Sequence, residues 1–398
     1  MLKFSDLKLL VIADDFTGAL DTGVQFATLG AASKVVTDPN YGFDESLDLD
    51  VLIFDSETRH LTPDKAYKIV HDFAAKAKDF GVPYVYKKTD SGLRGNIGSE
   101  LAACLDALDL DSMAFVPAFP AMKRITRNGI HYIDGVPVSQ SMFARDPFEP
   151  VRESDVNKII ALQTDRNIKV YDAESDSDMM TIAQSLGHDG LRLTAGCAGF
   201  AGVLAKVLGF ESVNVPSVPE MPERLFMICG SVNPVTVAQM DFAESQGFKR
   251  IYLRAQDKLN PEWPSSESCK EFARKILNEI QDSNAILDSN NPGEKFLTDE
   301  YIKSHALSID QVRLYISRSV TGAAKALLDG GLNAKLMCVG GDTLLALMQA
   351  VNVHELVPVC EIEKGVVLTS FMYHDKNYYI MAKSGGFGDR DLLVKISG

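Results

Sequence analysis

No Cys-x-x-Cys pair occurs among the six cysteines, at 104, 197, 229, 269, 338 and 360, and none has a nearby histidine partner. They read as reduced core thiols. Basic residues are also short, 40 Lys+Arg against 54 Asp+Glu, and the net charge of −14 excludes broad binding to nucleic acid or to an anionic membrane surface. Nowhere does the chain approach about 18 uninterrupted apolar residues. Its opening, MLKFSDLKLLVIADDF, meets two aspartates where a secretory leader needs a small-residue cleavage site, so a cytoplasmic protein is expected. Neither Gly-x-x-x-x-Gly-Lys-Ser/Thr nor Gly-x-Gly-x-x-Gly is present, which removes the sequence support for a P-loop or a standard dinucleotide fold. A nucleotide must be held differently.

What is present is a globular composition, 46% hydrophobic and 24% charged over 398 residues. At roughly 150 residues per domain, two domains are the simplest reading. The apolar run Leu9 to Ala13 leads through Asp14-Asp15-Phe16-Thr17-Gly18 into a helical pattern carried by Leu20, Val24 and Ala27. The same strand, polar turn and helix recur at Val51 to Phe54 before a helix over Pro63 to Ala77, and at Tyr84 to Tyr86 before Lys87 to Gly95. This alternation predicts an α/β fold, with a mainly parallel sheet flanked by helices in each domain. Later, Leu191 to Thr194 precedes Gly196, Gly199 and Gly202, read as close helix packing. VNVPSVPEMPE, at 213 to 223, reads as an extended tether because its spaced prolines exclude a helix. The predicted domains are therefore 1–212 and 224–398, the second restarting at Leu225 to Cys229. Residues 256 to 300 read as one helix, about Glu267 to Gln281, within loop.

Three turns in the second half share one design: Phe226 to Gly230 with Ser231, Leu336 to Val339 with Gly340-Gly341-Asp342-Thr343, and Tyr378 to Ala382 with Ser384-Gly385-Gly386-Phe387-Gly388. Glycine at a strand-to-helix turn admits a ligand to the backbone, and the helix that follows offers unpaired N–H groups to phosphate. Ligands sit at the carboxyl ends of parallel strands, so the three turns are expected to line one crevice.

In the first half, Asp14 and Asp15 follow a strand, where one carboxylate can face a substrate hydroxyl as a base while the other caps the following helix. The segment Lys87-Lys88-Thr89-Asp90-Ser91-Gly92-Leu93-Arg94-Gly95-Asn96 gathers groups suited to a sugar acid. Arginine binds carboxylate through two parallel hydrogen bonds, and Ser91 or Asn96 can read hydroxyls. Lys123, Arg124 and Arg127 extend the positive charge that would draw a small anion.

ADDFTGALDTG at 13 to 23, KKTDSGLRGNIGSEL at 87 to 101, PAFP through DGVPVSQSMFARDPFEP at 117 to 150, GSVNPVT at 230 to 236, GGDT at 340 to 343 and SGGFGD at 384 to 389 together resemble the four-carbon acid sugar kinase family. The resemblance spans nearly the whole chain. It implies ATP-dependent phosphorylation of the terminal hydroxyl of an acid such as threonate, erythronate or 3-oxotetronate. It also implies an acid-sugar domain before the tether, an ATP domain after it, and an active site in the interdomain cleft.

Carried over by motif, Asp14, Asp15, Ser91, Gly92, Leu93 and Arg94 belong to the acid site, with Asp55, Ser56, Arg59 and Asn96 beside them. Ser231, Gly340, Gly341, Asp342, Thr343, Gly385 and Gly386 belong to the ATP site. Asp15 is the expected base, with Asp14 second, Arg94 the carboxylate anchor and Mg²⁺ a bridge between ATP phosphates, with no protein metal ligand assigned. Gly92, Lys123 and Val232-Asn233 depart from the family pattern and bear on substrate choice. A homo-oligomer is compatible with the sequence. Two other readings are a haloacid-dehalogenase-like phosphatase, whose signature needs Asp-x-Asp where Asp14 and Asp15 are adjacent, and a non-enzymatic sugar-acid-binding protein, which would not need the three glycine turns.

Overall fold

The computed structural model describes residues 7–46, 48–146, 148–210 and 218–398. The start of the expected tether, 213–217, lies outside them, as do residues 1–6 of the amino-terminal run. Two compact units are distinguished: Met1–Ser217 with Val357–Cys360, and Val218–Leu356 with Glu361–Gly398.

The first unit holds β1 (Leu9–Ala13), β2 (Ser33–Val36), β3 (Val51–Asp55), β4 (Tyr84–Lys88) and β5 (Ser112–Val116), a small antiparallel sheet of β6 (Arg124–Arg127), β7 (Ile130–Ile133) and β8 (Val136–Pro137), then β9 (Asn167–Val170) and β10 (Leu193–Gly196). Its main sheet is parallel throughout, in the order β2-β3-β1-β4-β10-β5-β9. Strands covered on both faces read as unbroken apolar runs, which is why LLVIA of β1 is buried at every position. The helix Pro63–Phe80 shows how the faces are covered. Pro63 starts it where no N–H partner is needed, and Gly81, in the left-handed region at φ 84°, ends it. Between them Ala66, Val70, Phe73, Ala74 and Ala77 form one buried stripe. Phe73 stacks on Phe54 of β3 with ring centroids 3.6 Å apart; burying such a side chain stabilises by roughly 1.5–3 kcal/mol. Gly196, Gly199 and Gly202 are packing glycines as expected: a Cβ would lie 2.4 Å from Val116 O, 2.7 Å from the Phe119 ring and 2.9 Å from Gln25 Oε1 respectively.

The second unit holds β11 (Leu225–Cys229), β12 (Lys249–Tyr252), β13 (Ala285–Asp288), β14 (Lys335–Val339), β16 (Val366–Tyr373), β17 (Lys376–Lys383) and the two ends of β15 (Glu355–Glu363), whose Val357–Cys360 are counted with the first, in the order β12-β13-β11-β14-β17-β16-β15. Its first five strands in that order pair in parallel, and β16 runs antiparallel to β17. The mainly parallel α/β character is therefore present in both units. Residues 256–300 hold more structure than one helix in loop. Besides Glu267–Glu279 they contain β13 and the helix Lys295–Ser304, whose short or exposed patterns give weak periodic signals. All six cysteines are unpaired and buried. Among the described residues no helix is long and apolar enough to cross a membrane.

Candidate functional site

Strand order decides where chemistry collects in the first unit. The chain leaves β1 toward β3 and β2 on one side and returns through β4 on the other, so the crevice at the carboxyl ends of β1 and β4 is a topological switch point. Register sharpens this. Ala13 pairs with Asp55 of β3 and with Lys88 of β4, and the residues just beyond them stand side by side.

Asp15 is extended at φ −148° and caps the helix Phe16–Ala27, its Oδ1 accepting from Gly18 N at 3.1 Å. Glu57 Oε1 takes the Phe16 N–H at 3.0 Å. Asp14 is buried, and its carbonyl accepts from Thr58 N at 3.1 Å and Arg59 N at 3.2 Å, folding the loop after β3 against it. Arg59 completes that link: Nε donates to Asp14 Oδ2 at 2.7 Å and Nη2 to Asp15 Oδ1 at 2.5 Å, with Asp90 Oδ1 3.8 Å from Nη2. Asp14 Oδ1 has no hydrogen-bond partner among the described residues; Lys88 Nζ lies 4.0 Å from it. Burial pushes the Asp14 carboxyl up, but Arg59, Lys88 and Lys87 outweigh it and hold it below the usual range. Asp55 goes the other way. Burial, with Glu57, Asp15 and Asp14 nearby, raises it well above an ordinary carboxyl.

β4 runs two residues past the expected Tyr86, so Lys87 and Lys88 are strand residues rather than the start of a loop. Lys87 is wholly buried and ion-paired to Glu100 at 2.7 Å. Arg94 donates from Nε and Nη2 to the two Asp90 oxygens at 2.7 and 3.0 Å and from Nη1 to Asp146 Oδ2 at 3.0 Å. Three of its five N–H donors are thereby used, leaving two for a ligand. Ser91 Oγ accepts from Arg124, while Ser91 O receives the His131 Nε2 contact at 3.0 Å. His131 is held down to about 4 by burial, so it is neutral near pH 7. Gly92 faces Phe143, where a Cβ would lie 2.5 Å from the ring, and the Arg94 and Arg124 guanidiniums lie 5.1 and 5.2 Å from that ring's centroid. Leu93 adopts a left-handed φ of 63° and is buried.

Two predicted residues are placed as internal ties. Ser56 Oγ donates to Ala13 O at 2.6 Å, and Asn96 Nδ2 donates to Thr58 O and Leu61 O, both at 2.9 Å. Of the basic trio, Arg124 joins the cluster. Arg127 is exposed and pairs with Glu174, and Lys123 closes a turn at φ 53°. Phe143 and Asp146 come from the excursion between β5 and β9; the sequence offers them only within the motif at 117 to 150 and gives them no role, since no local spacing ties them to residues 91–94.

In the second unit, the ends of β13, β11, β14 and β17 align through the pairs Asp288–Cys229, Cys229–Val339 and Val339–Lys383. The three glycine turns meet there as expected. A Cβ on Gly230 would lie 2.9 Å from Thr343 Oγ1, and one on Gly385 would lie 3.3 Å from Ser231 Oγ. Gly340, at φ 96°, precedes the helix Gly341–Ala350, whose first turn carries Asp342. Asn233 caps Pro234–Ser245 by accepting from Val235 N, Thr236 Oγ1 donates to Gly385 O at 2.7 Å, and Gln239 Nε2 donates to the carbonyls of Phe387, Gly388 and Asp389. Gly386 is exposed beside Asn233. Lys383, unnoticed in the sequence, donates to Ser384 O at 3.1 Å beneath this turn; burial brings its ammonium down to about 8. Among the described residues no group of three or more His, Cys, Asp or Glu side chains could hold a metal ion.

Comparison with known proteins follows the same division. Residues 9–175 match a family described as the sugar-binding N-terminal domain, and residues 226–393 one described as the nucleotide-binding C-terminal domain. The chain is 27% identical to the D-threonate kinase of Salmonella typhimurium, covering 97% of each protein. It is 27% identical to the D-erythronate kinase of Heliobacterium modesticaldum, covering 98% of each. A solved structure from Salmonella typhimurium LT2, provisionally labelled a tRNA synthase, superposes with a TM-score of 0.82 at 20% identity over 98% of both chains, a likeness that speaks for the fold alone. With the two family models matched in order and the curated relatives aligned over nearly the whole chain, it belongs to the four-carbon acid sugar kinase family.

Proposed function

We propose that this enzyme transfers the γ-phosphoryl group of ATP to the terminal hydroxyl of a four-carbon sugar acid of the threonate or erythronate type. The observation that carries the reading is the pair of carboxylates at the end of β1, oriented by one buried arginine beside a basic loop, in a chain whose other unit gathers three glycine turns at its strand ends. Residues 1–212 bind the acid and 224–398 the nucleotide, in a cytoplasmic enzyme. The two remaining Arg94 donors, with Arg124 behind them, suit a carboxylate; Ser91, Gly92 and Leu93 shape the loop around it, and Asp55, Ser56 and Asn96 hold the adjoining wall.

Asp15 takes the hydroxyl proton through its outer oxygen, since Oδ1 is engaged by Arg59 and the helix cap. Asp14, tied through Oδ2, keeps Oδ1 for orienting the same hydroxyl. In the nucleotide half, Ser231, Gly340, Gly341, Asp342, Thr343, Gly385 and Gly386 line the phosphates, with backbone N–H groups replacing a P-loop. Mg²⁺ would neutralise phosphate charge, held chiefly by the phosphates of the nucleotide. Positioning and charge stabilisation then carry most of the catalysis.

ADP release measured with and without D-threonate, D-erythronate and 3-oxotetronate tests the reading. Acid-dependent release supports it; acid binding without release favours a binding protein, and hydrolysis of a phosphorylated acid favours a phosphatase.

A further inference from the structure

Lys88 is buried, with a side chain 6% exposed, yet its ammonium makes no hydrogen bond to any described residue. Its one ion pair is the loose approach to Asp14 Oδ1 at 4.0 Å, and that oxygen is itself buried and unpartnered. Nζ also lies against the first turn of the helix Phe16–Ala27, where a Cβ on Gly18 would be 2.5 Å from it. A cation at a helix N-terminus opposes the helix dipole, and an ammonium largely withdrawn from water without a protein acceptor is costly. Lysine here is a stability liability, and strain of that kind collects at functional sites.

A donor and an acceptor 4.0 Å apart are too distant for a direct hydrogen bond, and one oxygen about 2.8 Å from each would satisfy both. A hydroxyl fits both ends, donating its proton toward a carboxylate and accepting from the ammonium. Any Cβ at position 18 would strike both Lys88 Nζ and Asp15 Oδ1, each 2.5 Å away. Lys87 is not equivalent, because its charge is neutralised by Glu100 at 2.7 Å.

We infer that Lys88 is a further catalytic residue whose ammonium contacts the acceptor hydroxyl oxygen of the sugar acid; the inference rests on the kinase reading above. During transfer the hydroxyl oxygen forms the new bond to the γ-phosphorus. The bond from that phosphorus to the bridging oxygen breaks, its electron pair leaving on ADP, and the hydroxyl proton, oriented at first by Asp14 Oδ1, passes to the Asp15 carboxylate. Lys88 keeps its own proton throughout and stabilises the negative charge at the attacking oxygen and on the phosphoryl oxygens that approach it.

The experiment compares wild type, Lys88→Met and Lys88→Gln by steady-state kinetics with D-threonate and D-erythronate, MgATP titration calorimetry and thermal melting. For Lys88→Met, kcat for the acid should fall by about 10²–10³, as on loss of a charge-stabilising donor. MgATP affinity should stay within about threefold, and the melting temperature should move little, because Arg59 still pairs with Asp14 after the looser Lys88 contact is lost. Lys88→Gln, which keeps a donor without the charge, should fall between, and it is the variant to read if the methionine form does not fold. A kcat within about threefold of wild type in the folded variant overturns the inference alone, and so does a joint loss of melting temperature, MgATP affinity and turnover, the mark of a structural lysine. Absence of acid-dependent ADP release from wild type overturns the kinase reading and this inference together.

Discussion

Arg59 Nε donates to Asp14 Oδ2 at 2.7 Å, with the arginine side chain 8% and the aspartate side chain 3% exposed. The same guanidinium reaches Asp15, so one planar fork sets the relative orientation of two adjacent carboxylates.

Removing it should therefore be costly. Arg59→Ala leaves the buried Asp14 charge without its main partner, and loss of about 3–5 kcal/mol in urea denaturation is expected. Arg59→Lys keeps the charge but loses the fork, and should recover stability better than turnover.

Asp15→Asn separates chemistry from folding. Asparagine is as good an N-cap as aspartate, so the melting temperature should barely move. Turnover should fall by about 10²–10⁴, the span of a lost general base, while MgATP affinity holds. Weakened ATP binding with normal turnover at saturating ATP would sink the assignment.

Asp55 and Asp90 should give opposite pH signatures. Burial, with Glu57, Asp15 and Asp14, raises Asp55 well above its unfolded value of about 3.9, so its protonated form favours the fold and stability is lost as pH climbs from about 4 toward the folded value. Asp55→Asn should be more stable than wild type at pH 8, with the gap closing near pH 4. Burial alone would raise Asp90 too, but Arg59 and Arg94 depress it well below the usual range. Asp90→Asn should be less stable at neutral pH, and the gap should shrink only as pH falls below about 4. Denaturant titrations at both pH values check the two signs.

Gly92→Ala drives a methyl into the Phe143 ring, 2.5 Å from Cδ1 and Cε1. Overpacking of this kind costs about 1–3 kcal/mol. Because Phe143 sits beside Arg94 and Arg124, the KM for the acid should rise while that for ATP does not, and Phe143→Leu in the same chain should restore part of the loss. Independent, additive effects of the two substitutions would refute the coupling.

Gly340 adopts φ 96° with ψ 132°, a region reached almost only by glycine and costing another residue about 1–3 kcal/mol. Gly340→Ala should weaken MgATP binding about tenfold by calorimetry, and acid binding should be unchanged.

Much of the scaffold was legible in the sequence. The runs Leu9–Ala13 and Leu225–Cys229 are strands at the bounds read from their apolar pattern, because strands buried on both faces need no alternation. β13 escaped notice, since four residues between polar turns give no period to detect. β4 was read too short because Lys87 looks like a loop residue. It is tolerable in a strand only through Glu100, a partner thirteen positions away on the following helix.

The sequence by itself determined the alternation of strands and helices and the placement of carboxylates, basic residues and glycines just past strand ends, because hydrophobic periodicity and turn chemistry act over a few neighbouring residues. Tertiary structure alone decided how the charges pair. Arg94 is shared by Asp90 and Asp146, Arg127 is drawn away by Glu174, and Lys88 is left with only a distant carboxylate. Charge pairing depends on distances between segments far apart in the chain, and no local pattern records them.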